Sequence, residues 1–433
     1  MKISQVKARQ ILDSRSNPTI EVDCVLENGI FARAGVPSGA STGSKEAFEL
    51  RDNDKKHFFG KGVKTAVNNV NSIIAPKIIG MDVTKQREID ELLISLDGTK
   101  DKSNLGANAI LGVSLAVCRA ASIYANLPLF SYIGGVGANL LPVPFMNIIN
   151  GGVHANWQGA DFQEYMIAPY GAKSFEESYE WGSEIYQSLK SLLKEKRYNV
   201  SVGDEGGFVP LVSSNEEPLD LISKAVENIG LSVGKDVGFA IDPASSEFYK
   251  DGKYILKTQN LELDSISMIG YYEKIVNNYP VVLLEDGLAE YDWDNWKILN
   301  DRLGRNIEIV GDDIFVTNLN IVKKGVLDNT ANAVLIKLNQ IGTLSETIDV
   351  VNFARNHNWG CFVSHRSGET TDSFIADFVV GLGLGHIKTG APARGERVEK
   401  YNQLLRIEEF LGDKSVFAGK SILKKSNGEA KSS

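Results

Sequence analysis

Cysteine is scarce in this 433-residue sequence: Cys24, Cys118 and Cys361 are odd in number, far apart and in no CxxC spacing. That excludes a disulfide framework and argues against a thiolate zinc site, so a reduced, cytoplasmic setting is expected. Positive charge is not in excess either. The formal net charge is −9 and no lysine-rich arm is present, whereas a nucleic-acid groove needs a basic footprint to displace phosphate counterions. No uninterrupted apolar run reaches the ~18 residues of a membrane span. The opening MKISQVKARQILDSRSNPTIEV carries charges throughout and has no apolar h-region, so neither classical secretion nor a membrane partner is expected. Histidine is sparse as well, at five residues, yet one sits in FVSHRSGETTDSF, residues 362–374, where an apolar run gives way to a loop.

What is present is an ordinary globular composition, 43% hydrophobic and 23% charged, in a chain long enough for a large core and a second domain. Short alternating stretches, TIEVDCVL and GIFARAGV, flank the turn-prone Asn28-Gly29 and predict an antiparallel opening sheet. From Val63 to Tyr132 the apolar residues move to helical spacing, clearest in LGANAILGVSLAVCRAASIYA. These features predict an α+β domain over residues 1–133. The Gly- and Pro-rich stretch 134–144 reads as a linker, 145–424 as a second domain, and the polar 425–433 as a frayed tail.

In the second domain, apolar β-branched runs recur between segments of helical length: VGFAID, VVLLED, IEIVGDD, AVLIKLNQ, GCFVSHRS and HIKTGAP. Fully apolar runs mark buried parallel strands, and spacings of roughly 30 residues suit βα units. The charged residues that end them are Asp242, Glu285, Asp312, Lys337, His365 and Lys388. In a parallel α/β barrel the strands open their C-terminal ends on one face, so these six side chains are expected to form a ring.

Asp242, Glu285 and Asp312 offer hard oxygen ligands and no thiolate, which selects a hard cation, Mg²⁺ above others. The bland alternative is that each caps a helix or pairs with lysine. Lys337 and Lys388 read either as structural ion pairs or, near bound cations, as an amine whose charged form is disfavoured and which can serve as a base. Glu205, in SVGDEGGFVP, is expected to have its pKa raised by crowding acids and to act as general acid. Gln163 and Glu164 stand in FQEYMIAP; His154, in INGGVHAN, reads equally as structural or catalytic; His57, His357 and His386 have no acidic company. GVPSGASTGSKEAF misses the phosphate-cradling GxxxxGK[ST] pattern and reads as a mobile lid, with Ser41 able to offer oxygen to a second cation. Arg366 with Ser367 suits a phosphate.

Taken in order, RQILDSRSNPTIEV, VPSGASTG, INGGVHAN, FQEYMIAP, VGDEGGF, LLEDGLAE, VGDDIFVTN, LIKLNQIGTL, SHRSGET, IKTGAP and KYNQLLRIEE resemble the enolase family over nearly the whole chain. The resemblance implies an α/β fold: an N-terminal α+β cap on an eight-stranded (β/α)8-type barrel whose first strands are not all parallel. It implies Mg²⁺-dependent, reversible dehydration of 2-phosphoglycerate to phosphoenolpyruvate in glycolysis and gluconeogenesis. A lysine base working with Mg²⁺ is already documented for that superfamily. By the same resemblance Lys337 takes the C2 proton, and Glu205, supported by Glu164, protonates the departing hydroxyl. His154, Gln163, Glu164, His365, Arg366, Ser367 and Lys388 meet the substrate. Asp242, Glu285 and Asp312 hold one Mg²⁺, and a second arrives with substrate at Ser41. A homodimer or higher assembly is implied, with Glu21 and Arg406 resembling a cross-subunit contact. Pro243, Thr371 and Gly395 depart from the usual pattern without replacing a chemical group. Two rivals are weighed: a relative that abstracts the same proton but racemises or cyclises, which would have no need to keep Glu205, Arg366 and Ser367 together, and a binding protein, which predicts losses among the ring residues where none is lost.

Overall fold

The computed structural model describes residues 1–39 and 43–424. Ser41 and the expected tail 425–433 lie outside the described residues. The chain opens with an antiparallel meander of β1 (Ile3–Leu12), β2 (Pro18–Leu26) and β3 (Phe31–Gly35). At the β2–β3 turn Gly29 takes φ +85°, a conformation that favours glycine, and Leu26 N–H donates to the Ile30 carbonyl at 2.9 Å. Two longer helices, α1 (Gln86–Asp97) and α2 (Ala107–Tyr124), follow. Helix α2 is long and apolar enough to cross a membrane, but 83% of it is buried inside the protein. It lies so close to the sheet that a Cβ at Gly112 would come within 2.6 Å of Val22 Cγ2.

Eight strands then close a barrel: β4 (Val143–Asn150), β5 (Glu164–Ala168), β6 (Gly238–Asp242), β7 (Val281–Glu285), β8 (Glu308–Gly311), β9 (Ala333–Ile336), β10 (Gly360–Ser364) and β11 (His386–Lys388). The stretch 134–144 expected as linker carries structure of its own. Leu140–Leu141 pair with Val416–Phe417, and Val143 and Pro144 already belong to the first barrel strand. Strand β5 runs antiparallel to both its neighbours, while the other pairs are parallel. The β4–β5 connection holds no α-helix, only a 3-10 turn at Gly152–Ala155, and two consecutive helices, α3 (Phe175–Glu195) and α4 (Glu217–Asn228), separate β5 from β6. Successive residues along a strand alternate sides: Ala333 and Leu335 pack inside the barrel, Val334 and Ile336 against the surrounding helices.

The outer layer continues with α5 (Ser265–Asn278), α6 (Trp293–Leu303), α7 (Leu319–Leu327), α8 (Leu344–Asn356), α9 (Phe374–Gly381) and α10 (Gly395–Leu411). Ser174, Asp264, Asn318 and Thr343 start their helices by accepting backbone N–H groups of the first turn.

At the bottom of the barrel, the expectation that His386 lacks acidic company fails. Its Nε2 lies 3.3 Å from Glu308 Oε2, because His386 begins β11 and Glu308 begins β8 at the same end. Asp377 in α9 is a second buried acid, accepting from Phe130 N–H at 3.3 Å and Gln403 Nε2 at 3.1 Å. Burial raises its carboxyl to about 6, above the ~3.9 of an unfolded chain. The native state therefore binds that proton more tightly, and stability falls as pH rises from about 4 through 6. Asp377→Asn is expected to raise Tm at pH 8, by up to about 2–3 kcal/mol of stability, and to leave it unchanged at pH 4; thermal melts at the two pH values check this.

Candidate active site

Strand direction explains the ring. Asp242, Glu285 and Lys388 are the last residues of β6, β7 and β11, while Asp312, Lys337 and His365 follow β8, β9 and β10 immediately. Glu164 is the first residue of its strand, yet it reaches the same rim because antiparallel β5 pairs Glu164 with Asp242 and with Asn150. One cavity is lined by His154, Gln163, Glu164, Glu205, Asp242, Asp312, Lys337, His365, Arg366, Ser367 and Lys388. Glu285 completes the set through Lys388. Gln163 Oε1 is buried there with no hydrogen-bond partner among the described residues, an acceptor left for a ligand.

The carboxylates divide between two lysines. Lys388 Nζ donates to Glu285 Oε1 and Oε2 at 2.9 and 2.8 Å, and lies 3.1 Å from Glu164 and 3.5 Å from Asp242. Lys337 Nζ bonds Asp312, whose other oxygen accepts from Gln340 Nε2 at 2.8 Å. Burial pushes the Asp242 carboxyl up to about 7 against the opposing charge of Lys388, with Glu164 and Asp312 adding repulsion. Burial and Asp242 likewise raise Glu285. Asp312 is lowered, because Lys337 overcomes its burial.

Among the described residues, carboxylate and imidazole ligand atoms come within 4.8 Å of one another in two groups, His154–Glu164–Glu205 and Asp286–Asp312–Asp313. The trio expected from sequence is not one of them: Lys388 draws Glu285 and Asp242 together, and Lys337 draws Asp312. An all-oxygen donor set of buried, mutually repelling carboxylates fits a hard divalent cation. Asp286 is a neighbour that sequence reasoning passed over. Its two oxygens accept from the Asp312 and Asp313 N–H groups at 2.9 and 3.0 Å, fixing the turn that carries Asp312.

One expectation about protonation is corrected, and one applies only beside bound cations. Burial disfavours the Lys337 ammonium, but Asp312 outweighs it, so here the lysine pKa is raised, as in the ion-pair reading. Glu205, expected high, is lowered: burial raises it, but the donors that face it, His365 first, then His154 and Arg397, more than offset that. Its Oε2 accepts from Asn147 Nδ2 at 3.0 Å and faces His365 Nε2 at 3.3 Å, and Oε1 lies 3.8 Å from His154 Nδ1. The raised carboxyl is Glu164, through burial and the nearby Glu205 charge. Two acids pushed apart in this way assign one as proton holder and the other as the ionised partner.

Arg366 donates to Glu46 Oε2 and Oε1 at 2.9 and 3.0 Å and to Asn339 Oδ1 at 3.0 Å. Glu46, Asn147, Gln340 and Arg397 were all missed from sequence. Gln340 stands in LIKLNQ three residues after Lys337 and Asn147 in the first barrel strand, so proximity could have flagged them. Glu46 lies in GVPSGASTGSKEAF, read as a lid without that residue being singled out, while Arg397 comes from a segment far away in sequence and carries no local signal.

A family model described as "Enolase, N-terminal domain" matches residues 3–133, and one described as "Enolase, C-terminal TIM barrel domain" matches residues 138–426. The chain is 58% identical over 418 residues to "Enolase 2" of Pseudomonas syringae pv. tomato, covering 96% of this chain and 98% of that protein. It is 58% identical over 419 residues to "Enolase 2" of Methanospirillum hungatei, covering 97% and 98%, and 57% identical over 420 residues to "Enolase 1" of the same organism, with the same coverage.

Proposed function

The chain belongs to the enolase family, and from this membership and the site's geometry we infer how it carries out the reversible dehydration of 2-phosphoglycerate to phosphoenolpyruvate, the hydro-lyase step of glycolysis. One observation carries the assignment of roles. In the barrel order β7-β8-β9-β10-β11-β4-β5-β6, the strand leading to Lys337 and the strand starting at Glu164 are four steps apart, hence diametrically opposed. A base on one side of a bound substrate and an acid pair on the other suits removal of a proton from one carbon and of hydroxide from the next.

In this reading Lys337 accepts the C2 proton as a neutral amine. Burial, Arg366 and Lys388 all press it toward that form, and the charges opposing them belong to Asp312 and Glu285. Both are assigned to cation binding, so their hold on Lys337 weakens when a cation engages them. Asp242, Glu285 and Asp312 would hold one Mg²⁺, and a second would enter with substrate beside Ser41. When bound, Mg²⁺ supplies fixed positive charge where negative charge builds on the substrate carboxylate.

The departing hydroxide takes its proton from the Glu164/Glu205 pair, with Glu164 as the holder in this structure and Glu205 as the group kept oriented by Asn147 and His365. Lys388 balances the substrate carboxylate, and Gln163 and His154 position the substrate. Arg366 exchanges its Glu46 partner for the phosphate, with Ser367 beside it. A homodimer is proposed for the assembly. Within one chain Glu21 pairs with Arg9 at 2.6 Å and Arg406 with Glu399 at 2.7 Å, and a groove by Phe31, Ile123, Phe130, Arg406 and Phe410 supports a contact on that side. A cytoplasmic location is proposed in keeping with three buried free cysteines. The purified protein with Mg²⁺ and 2-phosphoglycerate should generate the ultraviolet absorbance of phosphoenolpyruvate; a bound but unchanged substrate would make the binding-protein reading the better one.

A further inference from the structure

Arg397 has no place in the reaction just described, yet it is fully buried against the site. It lies in the first turn of α10, and its guanidinium gathers four acceptors. Nη1 lies 2.6 Å from His365 Nδ1 and 2.6 Å from the Arg366 carbonyl, while Nη2 lies 2.6 Å from the Ser367 carbonyl and 3.2 Å from the Asp204 carbonyl. Glu396 Oε1, 3.3 Å from Nε, balances its charge. The segment carrying His365 and the segment carrying Glu205 are thus tied to one side chain.

An arginine side chain only donates hydrogen bonds and stays protonated. Its contact with Nδ1 is therefore a bond only if that nitrogen carries a lone pair, and in a neutral imidazole the proton is then on Nε2. Nε2 is the atom nearest Glu205 Oε2, at 3.3 Å, and is buried with no other hydrogen-bond partner among the described residues. The opposite tautomer would set two donors against each other at Nδ1 and two acceptors at Nε2. We propose that Arg397 is a positioning residue that locks His365 as the Nε2–H tautomer and so keeps a hydrogen-bond donor on Glu205.

Two observations support this. Burial pushes the imidazolium of His365 down to about 3, with Glu205 opposing and Arg397 adding to the fall, so the ring is neutral and a tautomer is defined. The charged groups around it are Glu205, Arg397 and Lys388. The backbone also packs closely around the ring: a Cβ at Gly390, where φ is +87°, would lie 2.8 Å from the Glu205 carbonyl, 3.0 Å from Arg397 Cδ and 3.2 Å from His365 Cε1. Glycine there lets all three elements close on one another.

The functional half of the proposal rests on Glu205 belonging to the acid pair; the tautomer half does not. The test uses the full chain with ¹⁵N-labelled histidine, the His365 resonances being assigned by their loss in His365→Asn. Wild type should show a protonated, pyrrole-type Nε2 and a pyridine-type Nδ1. The reverse pattern, or two protonated nitrogens, overturns the proposal without any reference to activity. In Arg397→Lys, a single ammonium cannot span the same acceptors, and the two tautomers should mix. Elimination should then fall about 10²-fold, the lower end of a general acid's contribution, while exchange of the substrate C2 hydrogen with solvent and KM stay near wild type. An unchanged tautomer, or equal losses of exchange and elimination, would mark Arg397 as a structural clamp and overturn the proposal. Absence of turnover in wild type would sink the functional reading alone, and the tautomer would stand or fall on its own spectrum.

Discussion

Replacing Lys337 by alanine is expected to lower turnover of 2-phosphoglycerate by about 10² to 10⁴-fold, or about 3 to 5.5 kcal/mol in the barrier, the contribution of a positioned general base. The loss should fall on kcat and not on KM, because the amine acts on the proton as it leaves. Exchange of the C2 hydrogen with solvent should disappear to the same extent, since no other described cavity side chain offers an amine from that side of the barrel. Asp312 keeps the Gln340 donor at 2.8 Å, so the fold should survive, which circular dichroism checks. A variant that retained exchange would show that another group takes the proton.

Withdrawal of divalent cations is expected to reduce turnover below detection, and added Mg²⁺ to restore it. A general base alone supplies only part of the roughly 8 to 23 kcal/mol by which enzymes lower barriers, and deprotonation beside a carboxylate builds charge that needs fixed positive groups. The same treatment should leave the far-ultraviolet circular dichroism unchanged. Lys388 already pairs with Glu285 and Asp242, and Lys337 with Asp312, so part of the rim charge is offset without a cation and the barrel should stay folded. Tm should rise with Mg²⁺ by mass action. Full activity after exhaustive chelation would sink the mechanism.

The barrel was legible wherever a strand ends in a charged residue. VGFAID and VVLLED announce both a buried parallel strand and the side chain it delivers, and Asp242 and Glu285 stand at the strand ends where that reading put them. The reading was weaker at β5, whose direction is opposite. Nothing local in FQEYMIAP says that Glu164 comes first in its strand and still reaches the rim; only the pairing with Asp242 does. Protonation states were the least legible part. Crowding of acids was foreseen, but which acid bears the proton depends on partners brought from elsewhere: His365 and His154 on Glu205, and the Glu205 charge on Glu164 against the opposing Lys388. Likewise the guanidinium that holds His365 comes from a helix beyond the last barrel strand, where Arg397 is one charge among many in GERVEKYNQ.

The division of labour between the two sides of the barrel is the central claim, and it is tested most directly by following deuterium loss from C2-deuterated 2-phosphoglycerate alongside phosphoenolpyruvate formation in Glu205→Gln. Lys337 is untouched in that variant, so washout of deuterium should continue near the wild-type rate while product formation falls by about 10² to 10⁴-fold. Loss of both together would mean that proton removal and hydroxide departure are not served by opposite sides of this site.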